Sequence, residues 1–404
     1  MNSSVTGQPG SAVTGGDGAR VVAEAVAAQP LIDHHCHGVS TGDLDRPGFE
    51  SLISEGGPPA AGTTNFDTPV GLAIRRHCAP LLDLPPHASA EAYLERRAGL
   101  GTAEITRRLL AGLGTVRFCV DTGFRPVGLT TPAELAGLAG LAGGAAHEIV
   151  RLESVAEGVA AAGVDADGFE PAFASALHAA VEAGGAVGVK SIAAYRVGLD
   201  LDPVRPAPAE VAAAAGAWLA AGPDGGPDGG RWRLADPVLT RAALWAAVDL
   251  GLPIQLHIGF GDRDIRMHRV DPSLLTDWLH LHRVPVMLLH CWPYQRQASF
   301  LAAVHPHVYL DVGLTLHYVG PARAGSVLAE AAELAPFHKL LYSSDAFGAP
   351  ELYHLGAITF RRALTELLGG RVVSGEWSVP DAVRIARLIG HDNAARVYRL
   401  GASG

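Results

Sequence analysis

The sequence predicts an α/β fold closed as a (β/α)8 TIM-type barrel, and three observations carry that reading. Eight strand-length apolar runs recur along the chain, amphipathic stretches of helix length separate most of them, and the connections from Ala186 onward are short. Alternation of this kind favours parallel strands joined by helices, and eight such units close into a barrel.

The runs, in order, are Leu31–His37, Val116–Gly123, Glu148–Glu153, Ala186–Ile192, Pro253–Phe260, Val284–Trp292, Val308–Thr315 and Lys339–Ala346. Each is bounded by Gly, Pro or polar residues, as strands are. Helical periodicity marks Gly168–Ala183, Asp236–Leu250, Pro272–Leu281, Tyr294–Val304 and Pro321–Leu334 between them. Glu351–Leu368 and Pro380–Tyr398 read as C-terminal helices that complete the outer ring. Ahead of the first run, Arg20–Gln29 reads as a short helix ended by Pro30. Residues 1–19 are rich in Gly, Ser and Thr and are expected to form a disordered leader, leaving 20–404 as a single barrel domain.

Two segments exceed a simple connection. Residues 39–115 carry helical patterns of their own and read as an insertion after strand one, a lid over the barrel mouth. Residues 207–231 join an Ala-rich helix to a Gly/Pro/Asp repeat and read as a flexible insertion.

Composition narrows the function classes. A chain of 404 residues that is 48% hydrophobic can bury a large core. The net charge of −10 and the lack of any Lys/Arg run exclude nucleic acid as an expected partner. No apolar stretch reaches bilayer length, so no membrane partner is expected. Cys36, Cys78, Cys119 and Cys291 lack paired spacing, which fits a reducing cytoplasm. No Gly-x-Ser-x-Gly elbow supports a serine hydrolase, and no dinucleotide or Walker motif stands in strand–helix context. The expected partner is a small molecule; oligomeric state is left open, a homo-oligomer included.

The polar residues that carry chemistry sit where the runs end. His35 and His37 alternate on strand one, so both face one side of it. Two imidazoles there suit a shared Zn²⁺, Mn²⁺ or Fe²⁺, with zinc favoured. His257, His290 and Asp345 close later runs in the same way, and Lys190 does so on strand four. A strand-terminal histidine is ordinarily a satisfied core residue, but five such positions converging at one end point to a metal centre.

This ordered set resembles the amidohydrolase superfamily, amidohydrolase-2 type. Lys190–Arg196, His257–Asp262, Leu289–Tyr294 and Tyr342–Gly348 are similar to the amidohydrolase half of FluG-type proteins, in which that half is fused to a glutamine-synthetase-like domain. No such domain lies in these residues, so no ligase activity is expected of them. The resemblance implies that His35, His37, His257 and Asp345 hold one divalent cation. His290, and Lys190 as a carbamate, would join them if there are two. Asp345 would move protons, and His290 would hold a second ion or stabilise an oxyanion. As an uncarbamylated ammonium, Lys190 would bind a substrate carboxylate instead.

Tyr195, Arg196, Asp262, Arg263 and Asp264 follow strand ends, where loops meet substrate; either arginine could clamp a carboxylate. Asp33 is expected to orient a ligand imidazole or to cap locally. Glu351 and Tyr353 read as the start of a helix, and Cys36 and Cys291 as packing residues. The implied reaction is hydrolysis of a C–N bond other than a peptide bond, on a small carboxylated substrate such as a γ-glutamyl amide. The alternatives are a metal-dependent decarboxylase, a uronate-isomerase-like enzyme and a non-catalytic scaffold.

Overall fold

The computed structural model describes residues 15–123, 128–141, 144–224 and 230–401. Seven strands form one sheet in sequence order, every neighbouring pair parallel: β1 (Leu31–Cys36), β2 (Thr115–Asp121), β3 (Ala146–Arg151), β4 (Gly188–Ser191), β5 (Ile254–Ile258), β6 (Val286–His290) and β7 (Val308–Leu310). β1, β4, β5 and β6 are buried along their whole length, as strands covered on both faces must be.

The eighth expected run, Lys339–Ala346, is not a regular strand among the described residues. It nevertheless hydrogen-bonds to both edges of the sheet. Leu341 N–H donates to the carbonyl of Leu310 at 3.0 Å on the β7 side. On the β1 side, His34 N–H donates to Tyr342 O at 3.1 Å and Asp345 N–H to His35 O at 3.0 Å. Two features interrupt a ladder here. Ser344 N–H bonds the Asp33 carboxylate at 2.9 Å instead of a backbone carbonyl, and Asp345 takes a left-handed φ of 51°. The run Val308–Thr315 also ends early, because Asp311 turns its side chain back onto Gly313 N–H at 2.9 Å and Leu314 adopts φ 58°.

Helices lie between the strands where periodicity placed them, including Phe169–Gly184, Pro237–Leu250, Gln295–Val304 and Pro321–Ala331. Sequence chemistry explains their starts: Asp236 caps Val238 and Leu239, and Pro is the first residue of two of them. The connection from β1 to β2 carries helices Arg46–Leu52, Pro69–Ala73, Ala90–Leu100 and Thr102–Leu110. The first helix of the chain runs from Gly15 to Ala28, so it begins inside the stretch expected to be disordered; residues 1–14 lie outside the described residues. It packs on the long helix Pro350–Val373. The Ala-rich helix of the second expected insertion spans Pro208–Ala221, and most of the glycine repeat after it lies outside the described residues. No described helix is long and apolar enough to cross a membrane.

Candidate metal centre

The strand order brings the singled-out residues to one end of the sheet. Lys190 is the third residue of β4, His257 the fourth of β5 and His290 the last of β6. His35 lies near the end of β1 and His37 just past it. His35, His37, Lys190, His257, His290 and Asp345 all line one cavity of about 230 Å³.

Asp345 is the hub. Its Oδ1 lies 2.9 Å from His35 Nε2 and 3.5 Å from His37 Nε2, and its Oδ2 lies 3.6 Å from His290 Nε2. Burial opposes its ionisation, but the surrounding imidazoles, His290 foremost, outweigh that and hold its carboxyl well below the usual range. The His257 ring sits 4.6 Å from that of His290, centroid to centroid. Lys190 Nζ is 3.3 Å from His35 Nε2; burial pulls its ammonium down to about 8 although Asp121 and Asp345 oppose the shift.

The other nitrogens of these rings are fixed from behind. Gln255 is wholly buried, and its Nε2 donates to His34 O at 2.7 Å and to Tyr398 Oη at 2.8 Å. That leaves its Oε1 to accept from His35 Nδ1–H at 2.8 Å, so Nε2 of His35 carries the lone pair facing the cavity. His37 Nδ1 contacts Asp121 O at 3.1 Å, and His257 Nδ1 contacts Tyr195 Oη at 3.2 Å. Burial, then Lys190, pushes His35 down to about 3, and burial drives His257 well below its ordinary value. His35 and His257 are therefore neutral, the state that ligates metals.

A divalent cation fits this donor set. His257 Nε2 and both ring nitrogens of His290 are buried without any hydrogen-bond partner, a costly state unless another group satisfies them. One ligand atom each from His35, His290 and Asp345 lie within 4.8 Å of one another. His35, His37 and Asp121 form a second such group. The Asp121 oxygens, however, are already engaged, one by Gly123 N–H at 2.9 Å and the other by Arg151 at 2.6 and 3.1 Å.

Backbone conformations aim these groups. His290, Cys291 and Asp345 all have left-handed φ (68°, 61° and 51°), each costing on the order of 1–3 kcal/mol. Asp311 holds the His290 turn by accepting from its N–H at 2.8 Å, while Thr315 Oγ1 donates to its carbonyl at 3.0 Å. Gly261 is needed for space: a Cβ there would lie 2.8 Å from His257 Nε2.

Several expectations need correction. Arg263 is exposed and does not line the cavity; Arg233 does so instead, paired with Asp264 at 3.0 Å. Asp33 orients no imidazole. It accepts from the Ser344 hydroxyl at 2.6 Å as well as from its N–H, pinning the segment before Asp345, while Gln255 does the orienting. Tyr353 is more than a helix start, since its hydroxyl bonds the carbonyl of His37, and Glu351 is a buried partner of Arg97 at 2.9 Å. Tyr195, Arg196 and Asp262 do line the cavity. Arg196 reaches Glu157 at 3.2 Å through Nη2, leaving Nη1 buried without a partner. Cys36 and Cys291 donate to buried carbonyls, and burial pushes both thiols well up, away from nucleophilic use.

Gln255, Asp311 and Glu55 escaped sequence reasoning. Gln255 lies two residues before His257 inside an apolar strand, where alternation alone hints that it faces inward. Glu55 comes from the β1–β2 connection, and nothing local marks it.

A parallel α/β sheet with a His/Asp cluster at the C-terminal strand ends is the arrangement in which TIM-type folds place their active sites. The chain belongs to the amidohydrolase family, whose sequence profile matches residues 132–400. The match includes Lys190, His257, His290 and Asp345; His35 and His37 precede it. The protein fluG of Emericella nidulans is 36% identical over 150 residues, which make up 37% of this chain and 17% of that protein. The chain therefore matches only a small part of that relative. A solved structure from Lactobacillus casei, designated a metal-dependent hydrolase, is 29% identical, covers 94% of this chain and 97% of its own, and superposes with a TM-score of 0.80. A glucuronate isomerase from Caulobacter crescentus has the same fold, with a TM-score of 0.63 at 14% identity over 98% of this chain and 96% of its own.

Proposed function

We propose that this chain is a metal-dependent hydrolase that cleaves a C–N bond other than a peptide bond, in a small carboxylated substrate, a γ-glutamyl amide being the first candidate. The observation that carries it is the set of unpartnered nitrogens on His257 and His290, two residues that line the cavity together with Asp345. His35, His37, His257 and Asp345 would hold one cation, zinc first by donor chemistry. His290 and a carbamylated Lys190 are the groups at hand for a second. Likeness to a metal-dependent hydrolase across nearly the whole chain supports the reading. The segment 340–348, bonded to both sheet edges, serves as the eighth stave of the barrel, and residues 39–115 as its cover.

When bound, the cation polarises the scissile carbonyl and acidifies water. The chain's own residues do the rest. Oδ1 of Asp345 faces His35 and His37, so Oδ2 is the oxygen left to take the proton of an attacking water and return it to the leaving amine. His290 presents its unpartnered ring nitrogens beside that carboxylate, where a ring N–H can stabilise a developing oxyanion. Arg196 offers its free Nη1 to a substrate carboxylate.

Glu55 adds a second anchor. It lines the cavity, touches Tyr318 Oη at 3.5 Å and pairs with no cationic side chain among the described residues. Burial, with Asp345 and Asp262 nearby, raises it to about 8, and a substrate ammonium would relieve that cost. One acidic and one basic anchor in so small a cavity suit an amino-acid headgroup. The likeness to a glucuronate isomerase, at 14% identity, extends to the fold alone.

The test is a panel of γ-glutamyl amides incubated with zinc-loaded protein, followed by assay of free glutamate and amine. Release in equal amounts, abolished by His257→Ala together with its metal, is expected. Full metal retention in His257→Ala refutes the ligand assignment. Turnover of uronates, or CO₂ release from the same headgroups, with no hydrolysis in the panel, refutes the reaction class.

A further inference from the structure

At the opposite end of the barrel, two His-x-His sequences meet. His280-Leu281-His282 lies where the chain enters β6, and His305-Pro306-His307 where it enters β7. β6 separates them from His290 by on the order of 15 Å. The four rings form a chain, with centroids 5.0 Å apart for His280–His305, 5.9 Å for His305–His307 and 5.3 Å for His282–His307. His282, His305 and His307 are buried, whereas His280 is exposed and opens the cluster to solvent.

Both ring nitrogens of His282 and both of His307 are buried without a hydrogen-bond partner. A neutral imidazole has one donor and one acceptor to satisfy, and leaving either unmade is costly. A histidine with a structural role shows the contrast. His34, equally buried, bonds Asp311 and Tyr398 through its two nitrogens.

We infer that this barrel-floor cluster is a second metal site, in which His282 and His307, joined by His305, bind a nitrogen-preferring divalent ion, Zn²⁺ or Cu²⁺, independently of the rim. Two imidazoles sharing a tetrahedral ion at about 2.0–2.1 Å have ring centres about 5 Å apart, close to the spacing of His282 and His307. Three donor atoms within 4.8 Å of one another occur only at the rim among the described residues, so His305 must turn toward the pair when the ion enters. Burial pushes both His282 and His307 down to about 4, so they are neutral and ready to ligate near neutral pH. Arg283 and Lys339 already place positive charge at the edge of the cluster; Arg283 bonds the carbonyls of His280 and His282, and Lys339 those of His305, Pro306 and Val308. The cluster offers imidazole nitrogens and no carboxylate, which excludes Mg²⁺ and Ca²⁺, ions that take oxygen ligands.

The experiment compares metal stoichiometry in three full-length, chelator-stripped proteins titrated with Zn²⁺: the wild type, His35→Ala/His257→Ala, and His282→Phe/His307→Phe. The rim variant is expected to keep one equivalent, which tetrahedral d–d absorption reports when Co²⁺ replaces Zn²⁺. The floor variant is expected to lose that equivalent while keeping rim metal and hydrolytic activity. If the phenylalanine pair does not fold, His282→Gln alone serves, with a loss of affinity of about tenfold or more expected for one missing ligand. A rim variant that binds no Zn²⁺, or a floor variant with wild-type stoichiometry, overturns the inference and leaves the rim assignment untouched.

Discussion

Replacing Gln255 by leucine isolates the group that aims His35. The amide sits between three polar atoms: it accepts from His35 Nδ1–H at 2.8 Å and donates to His34 O at 2.7 Å and Tyr398 Oη at 2.8 Å. Leucine fills most of the space and makes none of these bonds. Tyr398 Oη keeps a partner in His34 Nδ1 at 3.0 Å. The His35 ring N–H and one carbonyl of a wholly buried strand lose theirs, at about 1–3 kcal/mol for each unsatisfied group. The expected destabilisation is therefore about 2–6 kcal/mol, measured by denaturant unfolding of metal-free protein.

The functional effect is separate. Without the acceptor at Nδ1, His35 is free to take the tautomer that turns a proton toward Asp345. Metal affinity should fall by about 10–100-fold, the usual cost of removing such a partner. Chelator competition on the folded variant reads this directly. Gln255→Glu restores an acceptor for Nδ1 and should recover most of the affinity while remaining less stable. A folded Gln255→Leu protein that binds metal within about twofold of wild type would refute the orienting role.

Other outcomes follow from the same geometry. Glu55→Gln should raise KM by about 10-fold or more for substrates that carry an α-ammonium, with little change for analogues lacking it; equal effects on both would remove Glu55 as the ammonium anchor. Arg97→Met leaves the buried Glu351 with the Tyr93 hydroxyl but without its cation, and equilibrium unfolding should show a loss of about 3–5 kcal/mol. His282 and His307 titrate below their unfolded value of 6.5, so the unfolded chain takes up protons first. In chelator, stability should fall as pH drops from 6.5 toward about 4, by up to about 1 kcal/mol per unit for each ring after discounting for solvent. Arg283, His280, His305 and Lys339 face them, and the slope should flatten in His282→Phe/His307→Phe.

Much of the architecture was legible because apolar period and turn residues act locally. Seven of the eight expected runs carry strands, and the residues of the cluster lie at strand ends because polar side chains there interrupt apolar runs visibly. Lys339–Ala346 looked like a strand by the same criterion. It departs from one because the Asp33–Ser344 contact and the turn at Asp345 are tertiary, joining residues 311 positions apart. Gln255 and Asp311 were missed for a related reason. Their roles depend on partners from other strands, which no local pattern announces. Arg263 stands out in the sequence because it directly follows the β5 motif, whereas Arg233, which no motif marks, reaches the cavity from a connection whose course sequence does not reveal.

Anomalous diffraction at the zinc absorption edge, from crystals of the zinc-loaded protein, tests the rim assignment most directly. The account predicts a peak about 2.0–2.2 Å from His257 Nε2 and from an oxygen of Asp345, with His35 and His37 completing the set. A peak that leaves His257 and Asp345 unliganded, or no peak at the rim in active protein, would contradict it.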